Sequence, residues 1–155
     1  MEEIVVNPIP DTYPRVMPYL YIDGAQAAID FYASLLGAEL RMSMPGPDGK
    51  VGHAELGIGD SVIMLADEFP DMGVLGPKAV GGSPVTIHVY VEDVDATFEK
   101  ALSEGATVRR PVEDKFYGDR GGEFEDPFGH RWSLASHIED LTPEEMERRM
   151  GDMPG

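Results

Sequence analysis

An α+β fold of two tandem βαβββ modules is what this 155-residue sequence predicts. Three observations carry that reading. The first is an internal repeat. Tyr21-Ile22-Asp23 is echoed by Tyr90-Val91-Glu92 (90 − 21 = 69), and Gly37-Ala38 by Gly105-Ala106 (105 − 37 = 68). The second is periodicity, which in each copy passes from an apolar strand to a helical spacing and back to strands. The third is the glycine that closes each helical stretch, a residue suited to the left-handed conformation at a helix end. Two copies of one supersecondary unit imply a pseudo-twofold domain with a cavity between its halves.

Taken in order, residues 1–15 are proline-rich and aperiodic and form an N-terminal arm. Residues 16–136 are expected to be a single domain: module one over 16–66, a linker loop over 67–84 and module two over 85–136. In module one, residues 16–22 suit a strand and Asp23 caps the helix that follows. Ala25, Ala28, Ile29, Tyr32, Leu35 and Leu36 give that helix its buried face, and Gly37 ends it. A strand over 38–44, a Pro-Gly turn and a hairpin of strands 51–58 and 61–66 complete the module. The linker holds four glycines and three prolines, reads as irregular, and has the length of a loop that joins modules or covers a site.

Module two repeats the plan. It has a strand over 85–91, a cap at Asp93, a helix burying Val94, Phe98, Ala101 and Leu102, and strands over 106–110, 116–124 and 130–136. Asp126-Pro127-Phe128-Gly129 supplies a tight turn before the last of these. Residues 137–155 carry a C-terminal helix. Thr142 is its N-cap, Pro143 its first residue, and Glu145 reaches back in a capping box.

A formal charge of −17 argues against nucleic acid, whose binding draws on clustered Lys and Arg, and equally against an anionic membrane surface. With no cysteine, disulfides, thiolate metal sites and a catalytic thiol are excluded. The acidic start, MEEIVV, lacks the basic region of a signal peptide, and no apolar run reaches membrane-spanning length. A cytoplasmic location is the expectation. There is no Gly-x-Ser-x-Gly elbow, phosphate-binding glycine loop or dinucleotide fingerprint.

The segments AAIDFYASLLGAEL, GHAELGIGDSVIMLAD (52–67), VEDVDATFEKALSEGA (91–106) and EDPFGHRWSL (125–134), set in two βαβββ modules, resemble the vicinal oxygen chelate superfamily. This is the glyoxalase, bleomycin-resistance and dioxygenase group, and the likeness spans residues 16–136. HAELGIGDSVIM together with FYGDRGGEFEDPFGHRWSLASHIED looks most like its PhnB-like branch. The resemblance implies a homodimer and, in the enzymes, one divalent metal with open coordination positions for a bidentate oxygen substrate. Alignment puts the four ligand positions on Met17, Glu55, Thr86 and Ser133. Only Glu55 is a competent donor, since such metals prefer carboxylate oxygen or imidazole.

The resemblance also implies that the two modules curl into a cup-shaped mixed sheet, and the expectation is a protein that binds a small organic molecule in that cup without the usual metal site; no cofactor is assigned. Ligand-binding candidates are His53, Glu55, Thr86, His88, Arg120 and Ser133. The alternative is a lyase, isomerase or dioxygenase with a metal displaced onto His53, Glu55 and His88, because His53 shares a strand face with Glu55 and His88 with Thr86. Arg120 is read as the partner of a buried carboxylate such as Glu55 or Glu123, or as an anion binder. Trp132 is expected to point away from Ser133 into the core. His130 is assigned to turn packing or solvent, and His137 to a surface ion pair.

Overall fold

The computed structural model describes residues 5–153. Its contacts divide the chain into two compact units, with the division between Val74 and Leu75, and each unit holds one βαβββ module. Among the described residues no helix is long and apolar enough to cross a membrane.

In the first unit, β1 (Tyr19–Ile22) is followed by α1 (Ala25–Leu36), β2 (Glu39–Pro45), β3 (Val51–Ile58) and β4 (Ser61–Asp67). The sheet order is β1-β4-β3-β2, with β1 parallel to β4 and the other pairs antiparallel. Alternation along the strands sorts the side chains onto two faces. Leu20, Ile22, Ala54, Leu56, Ile63 and Leu65 are buried, as are Ala25, Ala28, Ile29, Tyr32 and Leu35 on α1, which packs across this sheet. The alternate strand positions, Tyr19, Tyr21, His53, Glu55 and Met64, lie on the other face.

Asp23 does not cap α1. The N-cap is Gly24, at φ 94, and the capping oxygen arrives from the end of β4: Asp67 Oδ1 accepts from the Gly24 and Ala25 amides at 3.1 and 2.9 Å. Its second oxygen accepts from Val51 N at 2.7 Å, so one buried carboxylate ties the starts of α1 and β3 to β4. Gly37 ends the helix in the left-handed region, as expected.

The stretch expected to be an irregular linker contains a 3₁₀ turn at Pro70–Met72 and a short helix, α2 (Pro77–Val80). α2 packs on the turn before the last strand, where a Cβ at Gly129 would meet Pro77 at 2.9 Å. Prolines at first helical positions explain the order here, since they fix φ where no amide partner is needed.

The second unit continues with β5 (Thr86–Tyr90), α3 (Val94–Ser103), β6 (Thr107–Asp114), β7 (Asp119–Glu125) and β8 (Arg131–His137). Its order, β5-β8-β7-β6, repeats the first, again with the outer parallel pair. β6 runs four residues beyond the expected Arg110. Pro111 does not stop it because β6 is an edge strand with register shifts, where a missing amide is tolerated. Phe98 meets Phe124 edge-to-face at 5.9 Å between centroids. Trp132 is fully buried on the α3 side, with its indole N–H donating to Asp126 at 2.9 Å, as its place beside Ser133 predicted.

α4 (Pro143–Gly151) follows with Thr142 as its cap, accepting from Glu145 N at 3.1 Å. The return half of the expected capping box is replaced. The Glu145 carboxylate takes Arg148 and Arg149 instead, and these guanidiniums hold it down at about 2. Arg149 also pairs with Glu139 at 2.6 Å and donates to the Phe116 carbonyl at 3.3 Å, which tethers α4 to the β6–β7 turn.

Candidate functional site

Each sheet has a face not covered by its helix, and the candidate residues fall there with one exception. Strand registers show which positions correspond between the units. Tyr19 opposes Met64 and Met64 opposes Glu55; in the second unit His88 opposes Ser133 and Ser133 opposes Glu123. Tyr19 thus matches His88, Met64 matches Ser133, and Glu55 matches Glu123. Ser133 corresponds to Met64 on the last strand of module one, while Glu55 sits one strand further in. The repeat therefore moves the second ligand position of the resemblance from Glu55 to Met64.

On the first sheet the open face holds a connected chain. Tyr19 Oη lies 2.8 Å from His53 Nδ1, His53 Nε2 lies 2.9 Å from Glu55 Oε2, and Tyr13 donates to Glu55 Oε1 at 2.7 Å. Glu55 is 4% exposed and well partnered. Hydrogen bonds from His53 first and Tyr13 second hold its carboxyl below the usual range. An ionised Glu55 requires the His53 proton on Nε2, so in the neutral ring Nδ1 accepts from Tyr19. Burial, with Tyr21 and Glu55 nearby, keeps the Tyr19 phenol protonated above its ordinary value. The N-terminal arm, through Tyr13 and its neighbours Pro8, Ile9, Pro10, Pro14 and Arg15, closes a groove of about 500 Å³ against Met17 and Met64. Tyr13 carried no sequence signal, because its contact with Glu55 spans 42 residues.

On the second sheet, His88 Nδ1 lies 2.9 Å from Ser133 Oγ, and both line a pocket of about 400 Å³. Its wall also includes Arg110, Glu123, Phe116, Tyr117 and Met153. Thr86 lies on the same face but opposite Arg131, outside that wall. Beyond His88, Tyr90 donates to the buried Asp119 at 2.7 Å, and His137 bridges Asp119 and Asp140 at 2.8 and 2.7 Å. Burial pushes the Asp119 carboxyl up, but hydrogen bonds from Tyr90 and His137 outweigh it and leave it below the ordinary value. Asp119 first and Asp140 second raise the His137 imidazole. The expected ion pair at His137 is thus present and reaches a buried carboxylate.

Arg120 is the exception. It lies three residues before Glu123 on β7 and so points to the opposite, helix-covered face. Its partners are Asp95 on α3, met by two nitrogens at 2.9 Å each, and Asp114 at 3.0 Å. Neither Glu55 nor Glu123 pairs with it, and with its fork occupied it is not placed to receive a ligand.

The donor set does not fit the divalent metal that the resemblance implies. The four positions made equivalent by the repeat are Met17, Met64, Thr86 and Ser133, which offer two thioethers and two neutral hydroxyls. In the displaced set, both imidazole nitrogens of His53 and both oxygens of Glu55 already have partners. Among the described residues no group of three or more His, Asp or Glu gathers as a metal cage.

The family model described as the Glyoxalase/Bleomycin resistance protein/Dioxygenase superfamily matches residues 13–134. The chain belongs to that superfamily. A relative within reach of it is the uncharacterized protein Mb0911c of Mycobacterium bovis, 44% identical over 140 residues, covering 88% of this chain and 92% of its own. Among solved structures, protein PA1353 from Pseudomonas aeruginosa is 25% identical with a TM-score of 0.67, covering 81% of this chain and 99% of that one. A PhnB protein from Bacillus cereus, titled a putative 3-demethylubiquinone-9 3-methyltransferase, shares the superfamily fold at TM-score 0.64. It is 19% identical, over 79% of this chain and 99% of its own.

Proposed function

We propose that this chain binds a small organic molecule in the pocket on the open face of its second sheet, without the divalent-metal centre of the superfamily's enzymes. The observation that carries the reading is the pairing of His88 with Ser133 in the wall of a 400 Å³ pocket. Its volume lies within the range of small-molecule sites, roughly 300–1,000 Å³, and its lining mixes aromatic with polar groups as such sites do. The Ser133 hydroxyl can donate to or accept from His88 Nδ1, so Nε2 can meet a ligand as acceptor or donor. Phe116 and Tyr117, packed edge-to-face at 5.2 Å between centroids, add aromatic surface to the wall. Within the pocket Lys115 is paired with Glu113 at 2.7 Å and Arg110 stands 3.6 Å from Glu123, so positive and negative groups largely offset one another. A neutral aromatic molecule with an amide or hydroxyl group is the class that suits this lining.

The test is a thermal-shift and titration screen of chelator-treated protein against small aromatic amides and phenols, repeated on His88→Ala and Phe116→Ser. Saturable binding without turnover, weakened at least tenfold in both variants, is the expected result. Hits that ignore both substitutions, or an absence of hits, overturn the reading. The competing assignment, a metal enzyme on His53, Glu55 and His88, requires stoichiometric metal uptake that His53→Ala and His88→Ala each abolish.

A further inference from the structure

The chain Tyr19–His53–Glu55 goes beyond ligand binding, and it lies entirely in the first unit. The fold does not demand it. At the matching positions of the second sheet stand His88, Gly121 (121 − 53 = 68) and Glu123, and the sheet forms without such a chain. A buried, ionised carboxylate orienting an imidazole, whose other nitrogen receives an outward hydroxyl, is an arrangement that moves protons. Tyr19 is 41% exposed, so the outer end of the chain is open to a reactant.

The groove beside it specifies the reactant. Met64, the cross-strand neighbour of both Tyr19 and Glu55, is one wall, and Tyr13, bonded to Glu55, is another. Pro8, Ile9, Pro10, Pro14 and Met17 make the remainder apolar. Arg15 is the one cation in this lining, is exposed, and makes no side-chain ion pair or hydrogen bond with the described residues. An apolar groove with one available guanidinium suits an apolar organic acid, its carboxylate on Arg15.

The geometry points to a metal-independent proton-transfer site at Tyr19–His53–Glu55 that interconverts the keto and enol forms of a small apolar 2-oxo acid. The Tyr19 oxygen takes a proton from the carbon next to the carbonyl while the phenol proton passes to His53 Nδ1. The C–H electron pair becomes the new C=C bond, and the carbonyl π pair moves to oxygen. The resulting imidazolium is paired with the Glu55 carboxylate. Return of the proton through Tyr19 to the enolate oxygen completes the enol and restores the chain, with no co-reactant. Tyr19 is the catalytic group; His53 and Glu55 act through it.

Phenylpyruvate is the probe, its enol followed by ultraviolet absorbance in chelator-containing buffer with full-length protein. The expected acceleration over buffer is about a hundredfold, the lower end of general acid–base catalysis. Tyr19→Phe and His53→Gln should each return the rate to that of buffer with the melting transition retained. Glu55→Gln should lower kcat with KM little changed, and Arg15→Met should raise KM with kcat little changed. Wild-type protein no faster than buffer overturns the assignment. So does a folded Tyr19→Phe or His53→Gln that keeps the wild-type rate; having both variants keeps the test open if one fails to fold.

Discussion

Asp67 and Ser136 hold the same place in the two modules (136 − 67 = 69), and each fastens the start of its helix to the end of its last strand. Asp67 accepts from the Gly24 and Ala25 amides, and Ser136 Oγ accepts from Val94 N at 3.1 Å. Ser136 also donates to the Val91 carbonyl at 2.6 Å. The module is a sheet with one helix laid across it, and this bond sets where that helix begins.

The two fasteners differ in what their loss exposes. Asp67→Ala strands three amides, two of them at buried residues, and each unsatisfied buried donor costs about 1–3 kcal/mol. Ser136→Ala strands one amide and one carbonyl, and α3 keeps a separate cap in Asp93, which accepts from Ala96 N at 3.1 Å. Asp67→Ala is expected to lose about 3 kcal/mol or more and Ser136→Ala about 1–2 kcal/mol. Urea unfolding measures both, and equal losses would show that the two positions are not doing the same job to different extents.

Stability should respond to pH at two places with opposite sign. Glu55 has a folded value below its ordinary one, so its contribution is complete above the ordinary carboxylate range and disappears as pH falls through the depressed value. His137 has a folded value above the ordinary 6.5, so its contribution is complete below that pH and disappears as pH rises through the elevated value. Glu55→Gln should flatten the acid limb of a melting-temperature profile, and His137→Gln the limb that begins at the ordinary imidazole value of 6.5. If either variant keeps its wild-type limb, that group is not the cause.

Much of this was legible in the residues. The offset of 68–69 predicted two matching modules, and local signals placed Gly37, Asp93 and Thr142 at helix ends, because caps act over three or four residues. What escaped was long-range. Asp67 reaches α1 across 42 residues, so the nearer Asp23 looked like the cap. For Arg120 the information was present: three residues along a strand is an odd step, which sets Arg120 and Glu123 on opposite faces. The repeat also held the correction at Glu55, since 69 residues before Ser133 stands Met64. Strand and helix pairings decide which side chains meet, and local sequence carries little of that.

Gly118 is where the pocket and the C-terminal helix depend on one residue. Its φ is +98, and a Cβ there would run into the Glu139 carbonyl. The Gly118 carbonyl accepts from both Ile138 N and Glu139 N, at 2.9 and 3.1 Å, and Glu139 in turn holds Arg149 of α4. Gly118→Ala combines a left-handed backbone cost of about 1–2 kcal/mol with displacement of the 138–139 segment. The variant should lose more than about 2 kcal/mol, become more susceptible to proteolysis between 138 and 153, and bind pocket ligands less tightly. Wild-type protease resistance would show that α4 is held by other contacts.

Metal removal gives the plainest separation between a binding protein and the superfamily's metal enzymes. A ligand specific for the native state stabilises it by about 2.7 kcal/mol at a hundredfold excess over its dissociation constant. With Met17, Met64, Thr86 and Ser133 at the repeat-equivalent positions, chelator-treated protein should keep its melting temperature and bind the same small molecules as untreated protein. Adding Mn, Fe(II), Co, Ni or Zn should shift the transition by no more than a non-specific ion does, with no stoichiometric metal retained after dialysis. One metal per chain, with a shift lost in His53→Ala, would instead mean that the Tyr19 and Glu55 bonds to that imidazole yield to coordination, and the displaced His53, Glu55 and His88 site would replace the reading given above.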